Sequence, residues 1–274
     1  LYNQGKIKKR MFSIYLADNP NSWNVGDSEI LFGGYNSSRF RGNVTFASLV
    51  DEDSWAVNLL DMQFGNTSVL KQFEEKIAEE SPNPEFSALI DTGSNLLVFP
   101  ASVVNSIIAH LKTEHDIDCY YMNENLPYCD CSIDPMQEFP NITIRLENQN
   151  LTLGPSAYVR KNEQSCNLLL NALDAEDDQT RWRFGSAFLR TYYTIFDADQ
   201  KQIGFAEAKQ KVITPLNFLN AAYVAVVFIL LLLIIGFFVL VIKNLVGRKE
   251  SSTAADNDST LPIISVYKDE KIEN

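Results

Sequence analysis

The residue types with the clearest chemical potential stand together at Asp91-Thr92-Gly93-Ser94. Three apolar residues, Ala88-Leu89-Ile90, run into the aspartate, and a second apolar run leads from Leu96 to Pro100. This pattern predicts a buried strand, a tight loop and another buried strand. A carboxylate between two hydrophobic segments costs free energy unless hydrogen bonds hold it, so Asp91 reads as a group kept there for acid or base chemistry. Thr92 and Ser94 bring hydroxyls beside it, and Gly93 lets another backbone approach and offers an unhindered N–H. A second constellation, His110, His115, Cys119, Cys129 and Cys131, has spacings that match no zinc pattern. We expect no metal and no cofactor. Together with Cys166, the cysteines number four, an even count that suits two disulfides in an oxidising compartment.

The elements that must position the loop are short and apolar. Phe12–Leu16, Glu29–Phe32, Val44–Phe46 and Trp55–Leu59 read as strands, with Gly33-Gly34 ending the second and a polar turn over 18–27. Val69, Phe73 and Ile77 recur every four residues in a Glu- and Lys-rich stretch from Ser68 to Glu85, which predicts an amphipathic helix in a solvated surface insertion. Pro100 stands where a helix would start, and Val104, Ile107, Ile108 and Leu111 form one apolar stripe after it. Ile142–Leu146 alternates as a strand. A second dense block, Trp182-Arg183-Phe184-Gly185 through Asp197, is followed by the strand pattern Ile203–Ala206.

These motifs in this order resemble the pepsin-like aspartic proteases. The resemblance runs from about Leu1 to Ala208 and rests on two blocks. One is the Asp91 loop, with Leu96-Leu97 and Pro100 after it; the other is Phe184-Gly185, Phe188-Leu189-Arg190 and Tyr192-Tyr193, ending at Phe196-Asp197. The series Phe12-Ser13-Ile14-Tyr15-Leu16, Leu31-Phe32-Gly33-Gly34 and Phe40-Arg41-Gly42 resembles the run joining that family's two lobes. The implied fold is mostly β, a pepsin-like second lobe plus the end of the first over 1–208. The implied chemistry is peptide hydrolysis by two aspartates sharing one proton around a water, one acting as base and the other polarising the scissile carbonyl. The pair titrates as a unit.

The resemblance makes Asp91 the second of those aspartates. It implies that Ser94 bonds the outer oxygen of Asp91, that Thr92 reaches the opposite loop across the lobe interface and that Gly93 lies against substrate backbone. It makes Phe184-Gly185 the pair that threads through the aspartate loop. It pairs Cys131 with Cys166, leaving Cys119 with Cys129. Asn95 replaces the usual Ser or Thr. A second Asp-Thr/Ser-Gly does not occur in the chain, and three accounts stand. The chain is a fragment of a two-lobed protease whose N-terminal lobe is part of the same polypeptide, or one half of a homodimer, or a non-catalytic binding relative. The substrate in the first two cases is a peptide or protein, cleaved at acid pH between bulky apolar residues.

The chain has 274 residues and a net charge of −12, which argues against nucleic acid as a partner. Five Asn-x-Ser/Thr sequons, at Asn36, Asn43, Asn66, Asn141 and Asn150, precede an uncharged apolar stretch from Phe218 to Ile242. A spanning helix needs ~20 such residues. Lys209 and Lys211 before the stretch, and Lys243, Arg248 and Lys249 after it, orient it only weakly. The sequons and cysteines favour a lumenal or extracellular N-terminal side. The expected layout is a peptidase part over 1–208, a linker over 209–217, one transmembrane helix over 218–242 and a disordered cytoplasmic tail over 243–274. The expected home is the secretory or endolysosomal system or the cell surface. Leu261-Pro262-Ile263-Ile264 and Tyr267 resemble tail signals read by sorting adaptors.

Overall fold

A computed structural model describes residues 1–17, 28–123, 125–131, 138–162, 165–173, 180–210 and 215–255. The chain divides into two units, Leu1–Lys211 and Val212–Asn274. The expected turn over 18–27 and the tail motifs around Leu261 and Tyr267 lie outside the described residues.

The first unit is mostly strand, as its short alternating segments require. Among the described residues there are two sheets of five strands and two of four. One five-stranded sheet runs in the order Glu29–Phe32, Met11–Tyr15, Tyr192–Asp197, Gln202–Ala208 and Phe40–Ser48. The other holds the aspartate loop, in the order Leu170–Leu173, Leu97–Pro100, Arg181–Phe184, Ser87–Ile90 and Ala56–Asn58. One four-stranded sheet carries Ile142–Arg145 between Asn150–Leu153 and Asp61–Phe64; the other carries the cysteines.

A shared core lies beneath the site sheet. Trp182, Phe99 and Phe184 are its largest side chains there, with Phe99 5.3 Å from Trp182 and 6.3 Å from Phe184 between ring centroids. The helix Ala101–His115 starts directly after Pro100, whose fixed φ of −53° suits a helix entry, and ends at Asp116 in the left-handed region. It buries Val103, Val104, Ile107 and Leu111. Ile108, counted with the stripe in the sequence, is only half-buried, because the face turns toward Val103.

The helix expected after Ser68 forms over Val69–Ile77, with the Ser68 hydroxyl accepting the Lys71 N–H. It is not a solvated insertion. Val69, Leu70 and Phe73 are buried, and Phe73 packs 6.0 Å from Phe86 and 6.3 Å from Trp182, so this helix closes one side of the core. The reading fails because Glu and Lys dominate the composition while the three inward residues decide the burial. Only the stretch after Ile77 suits a solvated loop: residues 78–80 are exposed.

In the second unit one helix runs Pro215–Ala255. Its segment Tyr223–Lys243, 21 residues, is long and apolar enough to cross a membrane. Each side chain from Tyr223 to Leu240 is exposed, so no protein core accounts for that apolarity. The helical backbone continues to Ala255, well past the expected end at Ile242 and into the stretch read as disordered tail, since nothing from Lys243 to Ala255 breaks a helix except one glycine.

Candidate active site

The site starts from two strands that end and begin beside each other. Ser87–Ile90 delivers Asp91 at its C-terminal end, and Leu97–Pro100 carries the chain away. Between them lies Arg181–Phe184, parallel to the first and antiparallel to the second, with Phe184 opposite both Ile90 and Leu97. The loop is therefore fastened by the strand that passes through it. Asp91 N–H donates to the Phe184 carbonyl at 3.1 Å, Gly185 N–H to the Leu96 carbonyl at 3.0 Å, and Ser186 N–H to the Ser94 carbonyl at 2.8 Å.

Only glycine fits at position 185. A Cβ there would lie 2.4 Å from the Ser94 carbonyl oxygen and 2.5 Å from that of Leu96. Phe184-Gly185 thus crosses at the aspartate loop, with Phe184 buried below it. On the other side, Ile90 N–H donates to the Trp55 carbonyl at 2.9 Å. The Trp55 ring packs on Phe12 and Phe196, with centroids at 5.8 and 5.3 Å, which ties the loop to the five-stranded sheet that contains Met11–Tyr15 and Tyr192–Asp197.

Asp91 is half-buried, while Thr92 and Gly93 are exposed at the tip. The Gly93 N–H donates to Asp91 Oδ1 at 2.9 Å, so a backbone dipole holds one carboxylate oxygen. Ser94 behaves differently from expectation. Its hydroxyl donates to the Leu96 carbonyl and accepts the Leu96 N–H, both at 3.2 Å, instead of bonding the outer oxygen of Asp91. A short hydroxyl side chain competes readily for backbone groups two residues on, and that local turn wins here. The Ser186 hydroxyl lies 3.4 Å from both the Asn95 carbonyl and Asn95 Oδ1.

Sequence reasoning missed Trp55 and Ser186 as supports of the loop. Trp55 acts through its carbonyl, which carries no side-chain signal. Ser186 follows Gly185 directly, and adjacency to the crossing pair was the available clue.

Asp91 faces open surface. A cavity of about 320 Å³, lined by Arg10, Glu52, Trp55 and Lys201 among others, does not include Asp91, Thr92, Gly93 or Ser94. A carboxylate with one oxygen held and the other free, on a rigid loop, can exchange protons with a water or with a second carboxyl brought to face it.

The cysteines form Cys119–Cys129 and Cys131–Cys166, with Cα separations of 3.9 and 5.8 Å. They are therefore not metal ligands. The His110 ring stands edge-on to Phe64 at 5.5 Å and 5.7 Å from the His115 ring. Among the described residues no group of three or more His, Cys, Asp or Glu is placed to hold a metal. Of the five sequon asparagines, Asn43, Asn66, Asn141 and Asn150 are exposed. Asn36 is half-buried, donating through Nδ2 to Glu29 at 3.3 Å and accepting the Ser38 hydroxyl at 2.7 Å.

A mostly-β unit in which a glycine-bearing strand threads an Asp-Thr-Gly loop defines an acid-protease lobe. The chain belongs to the eukaryotic aspartyl protease family, whose model matches residues 1–208. It is similar to pepsin A of Rhinolophus ferrumequinum, at 28 % identity over 207 residues, covering 75 % of this chain and 48 % of that protein. It is also similar to gastricsin of Mus musculus, at 26 % over 209 residues (75 % and 48 %), and to pepsin A of Sus scrofa, at 27 % over 207 (75 % and 48 %). The chain spans about half the length of the curated relatives it matches.

Proposed function

We propose that this chain is the second-lobe half of a membrane-anchored aspartic endopeptidase, with Asp91 as one member of the catalytic pair. The observation that carries this reading is the Asp91 loop itself, fixed from behind by Phe184-Gly185-Ser186 and left open in front. The second carboxylate belongs to an N-terminal lobe of the same polypeptide. The edge strand Glu29–Phe32 supports such a lobe: Ile30 is 59 % and Phe32 55 % exposed, a surface that a lone soluble lobe would keep polar.

Two facing carboxylates a few ångströms apart cannot both ionise cheaply, so they hold one proton between them. The ionised member takes a proton from the bound water, whose oxygen adds to the scissile carbonyl carbon. The protonated member gives its proton to the carbonyl oxygen. Collapse of the tetrahedral adduct breaks the C–N bond, and the amine leaves with a proton from the pair. In this scheme Gly93 N–H keeps Asp91 Oδ1 in place while the other oxygen works, and Thr92 reaches toward the opposite loop. The substrate is an extended peptide with bulky apolar residues around the cut.

The span Tyr223–Lys243 anchors the protein, with unit Leu1–Lys211 lumenal or extracellular and the residues after the span cytoplasmic. Two disulfides favour that side. Sequon content alone does not orient the chain, because a sixth match, Asn257-Asp258-Ser259, lies beyond the span. The orientation predicts glycans on exposed Asn43, Asn66, Asn141 or Asn150 and none on Asn257; the reverse pattern overturns it.

The test of function is Asp91→Asn in the full-length protein, assayed on a fluorogenic peptide at acid pH. Removing one of two acid–base groups costs on the order of 10²–10⁴-fold in rate, with the fold retained. Full activity in the variant would remove Asp91 from the catalytic pair. Peptide binding without cleavage by the unaltered protein would favour a non-catalytic relative.

A further inference from the structure

The four cysteines are arranged so that more than one pairing is within reach. Cys119, Cys129 and Cys166 form a single cross-strand row. In the sheet ordered Val159–Lys161, Ser165–Leu168, Leu126–Asp130 and Cys119–Asn123, Cys129 is register-paired with Cys119 on one side and with Cys166 on the other. Directly opposed residues of antiparallel strands point to the same face with Cα atoms about 4.5–5.5 Å apart, within reach of a disulfide, and the bonded Cys119–Cys129 pair is closer still, at 3.9 Å. Cys131, two residues past Cys129, shares that face and bonds Cys166 diagonally.

Burial splits the four differently from the bonds. Cys129 and Cys166 are fully buried, whereas Cys119 and Cys131 are half-exposed. Each disulfide therefore joins one buried sulfur to one accessible sulfur. Cys119 also lies on the edge strand of the sheet, where an attacking thiolate can approach.

We propose that this row is a thiol–disulfide relay, whose first two-electron reduction leaves a buried Cys129–Cys166 bond and frees Cys119 and Cys131 as a pair of accessible thiols. The reductant class is a dithiol. Its thiolate attacks the Cys119 sulfur, forming a mixed disulfide and expelling Cys129 as thiolate. A thiolate in apolar surroundings is costly. The opposed Cys166 sulfur is in register to receive it: the Cys129–Cys166 bond forms, the Cys131–Cys166 bond breaks, and the charge leaves the core on half-exposed Cys131. The second thiol of the reductant then resolves the mixed disulfide, releasing Cys119 and the oxidised reductant. One protein disulfide and two thiols replace two disulfides, and the reductant gains one. Cys119 and Cys131 become sites for thiol-modifying ligands, and the edge strand Cys119–Asn123 loses its disulfide tie to the strand Leu126–Asp130.

The test is limited reduction of the full-length protein with a dithiol, native alkylation and peptide mapping. The expected result is label on Cys119 and Cys131 with an intact Cys129–Cys166 cross-link. Label on Cys119 and Cys129 with Cys131–Cys166 retained, or label on all four together, overturns the proposal. So does the absence of any label before tryptophan fluorescence reports unfolding. A second arm uses Cys119→Ser, which removes the native partner of Cys129. The relay predicts a Cys129–Cys166 link with Cys131 as the free thiol. A free Cys129 beside a retained Cys131–Cys166 bond would refute it.

Discussion

The crossing at Gly185 makes the most direct prediction about the site. Gly185→Ala adds a Cβ 2.4 Å from the Ser94 carbonyl oxygen, 2.5 Å from the Leu96 carbonyl oxygen and 2.8 Å from the Ser94 carbonyl carbon. All three are main-chain atoms, so no rotamer change relieves the overlap. The aspartate loop has to move outward. Two hydrogen bonds, Gly185 N–H to Leu96 and Ser186 N–H to Ser94, then weaken or break. Each contributes about 0.5–1.5 kcal/mol, and insertion into a packed site costs about 1–3 kcal/mol more. The expected loss is about 2–6 kcal/mol, or roughly 10 °C in melting temperature for a domain of this size. Denaturant unfolding followed through buried Trp182, in the strand that leads into Gly185, reads this directly. Gly34→Ala is the control, because its added Cβ meets nothing within 4 Å. If Gly185→Ala stays within about 0.5 kcal/mol of the unaltered protein, as a bland surface change does, the strand does not thread the loop.

Other outcomes follow from the same structure. Phe73→Ala should cost about 3–5 kcal/mol, since the ring fills the space between Phe86 and Trp182; a change as small as that expected for exposed Lys71→Ala would return the helix Val69–Ile77 to the surface. Ser68→Ala removes both the helix cap and the 2.6 Å hydrogen bond to Oδ1 of buried Asp61, for a combined loss of about 2–4 kcal/mol, measured by the same unfolding assay. Burial pushes the Tyr158 hydroxyl well above the ordinary tyrosine range. Its contribution is therefore complete below the unfolded value of about 10 and falls as pH rises beyond it. Tyr158→Phe, which also loses the bond to the Pro140 carbonyl, should flatten the fall in stability above that pH, and an unchanged slope would count against the burial argument.

The local chemistry of this protein is written in contiguous residues. An aspartate between two apolar runs specifies strand, loop and strand, because a charge cannot lie inside either run. Pro100 followed by the stripe Val104, Ile107, Ile108 and Leu111 specifies a helix, while packing turned its inward face toward Val103 and left Ile108 half-buried. The uncharged stretch before Lys243 specifies a membrane-length helix. Each of these follows from nearest-neighbour sterics or from the period of the apolar residues, which the chain carries without any long-range contact. Tertiary structure decided what those periods do not encode. Whether Val69–Ile77 lies on the surface or in the core depended on Phe86 and Trp182 arriving beside it. Whether the Ser94 hydroxyl turns to Asp91 or to Leu96 depended on backbone geometry fixed by a strand about ninety residues away in sequence, whose passage through the loop is itself a long-range event. The row of Cys119, Cys129 and Cys166 exists only because three strands pair in one register; sequence supplies four sulfurs, and pairing of the sheet decides which of them can meet.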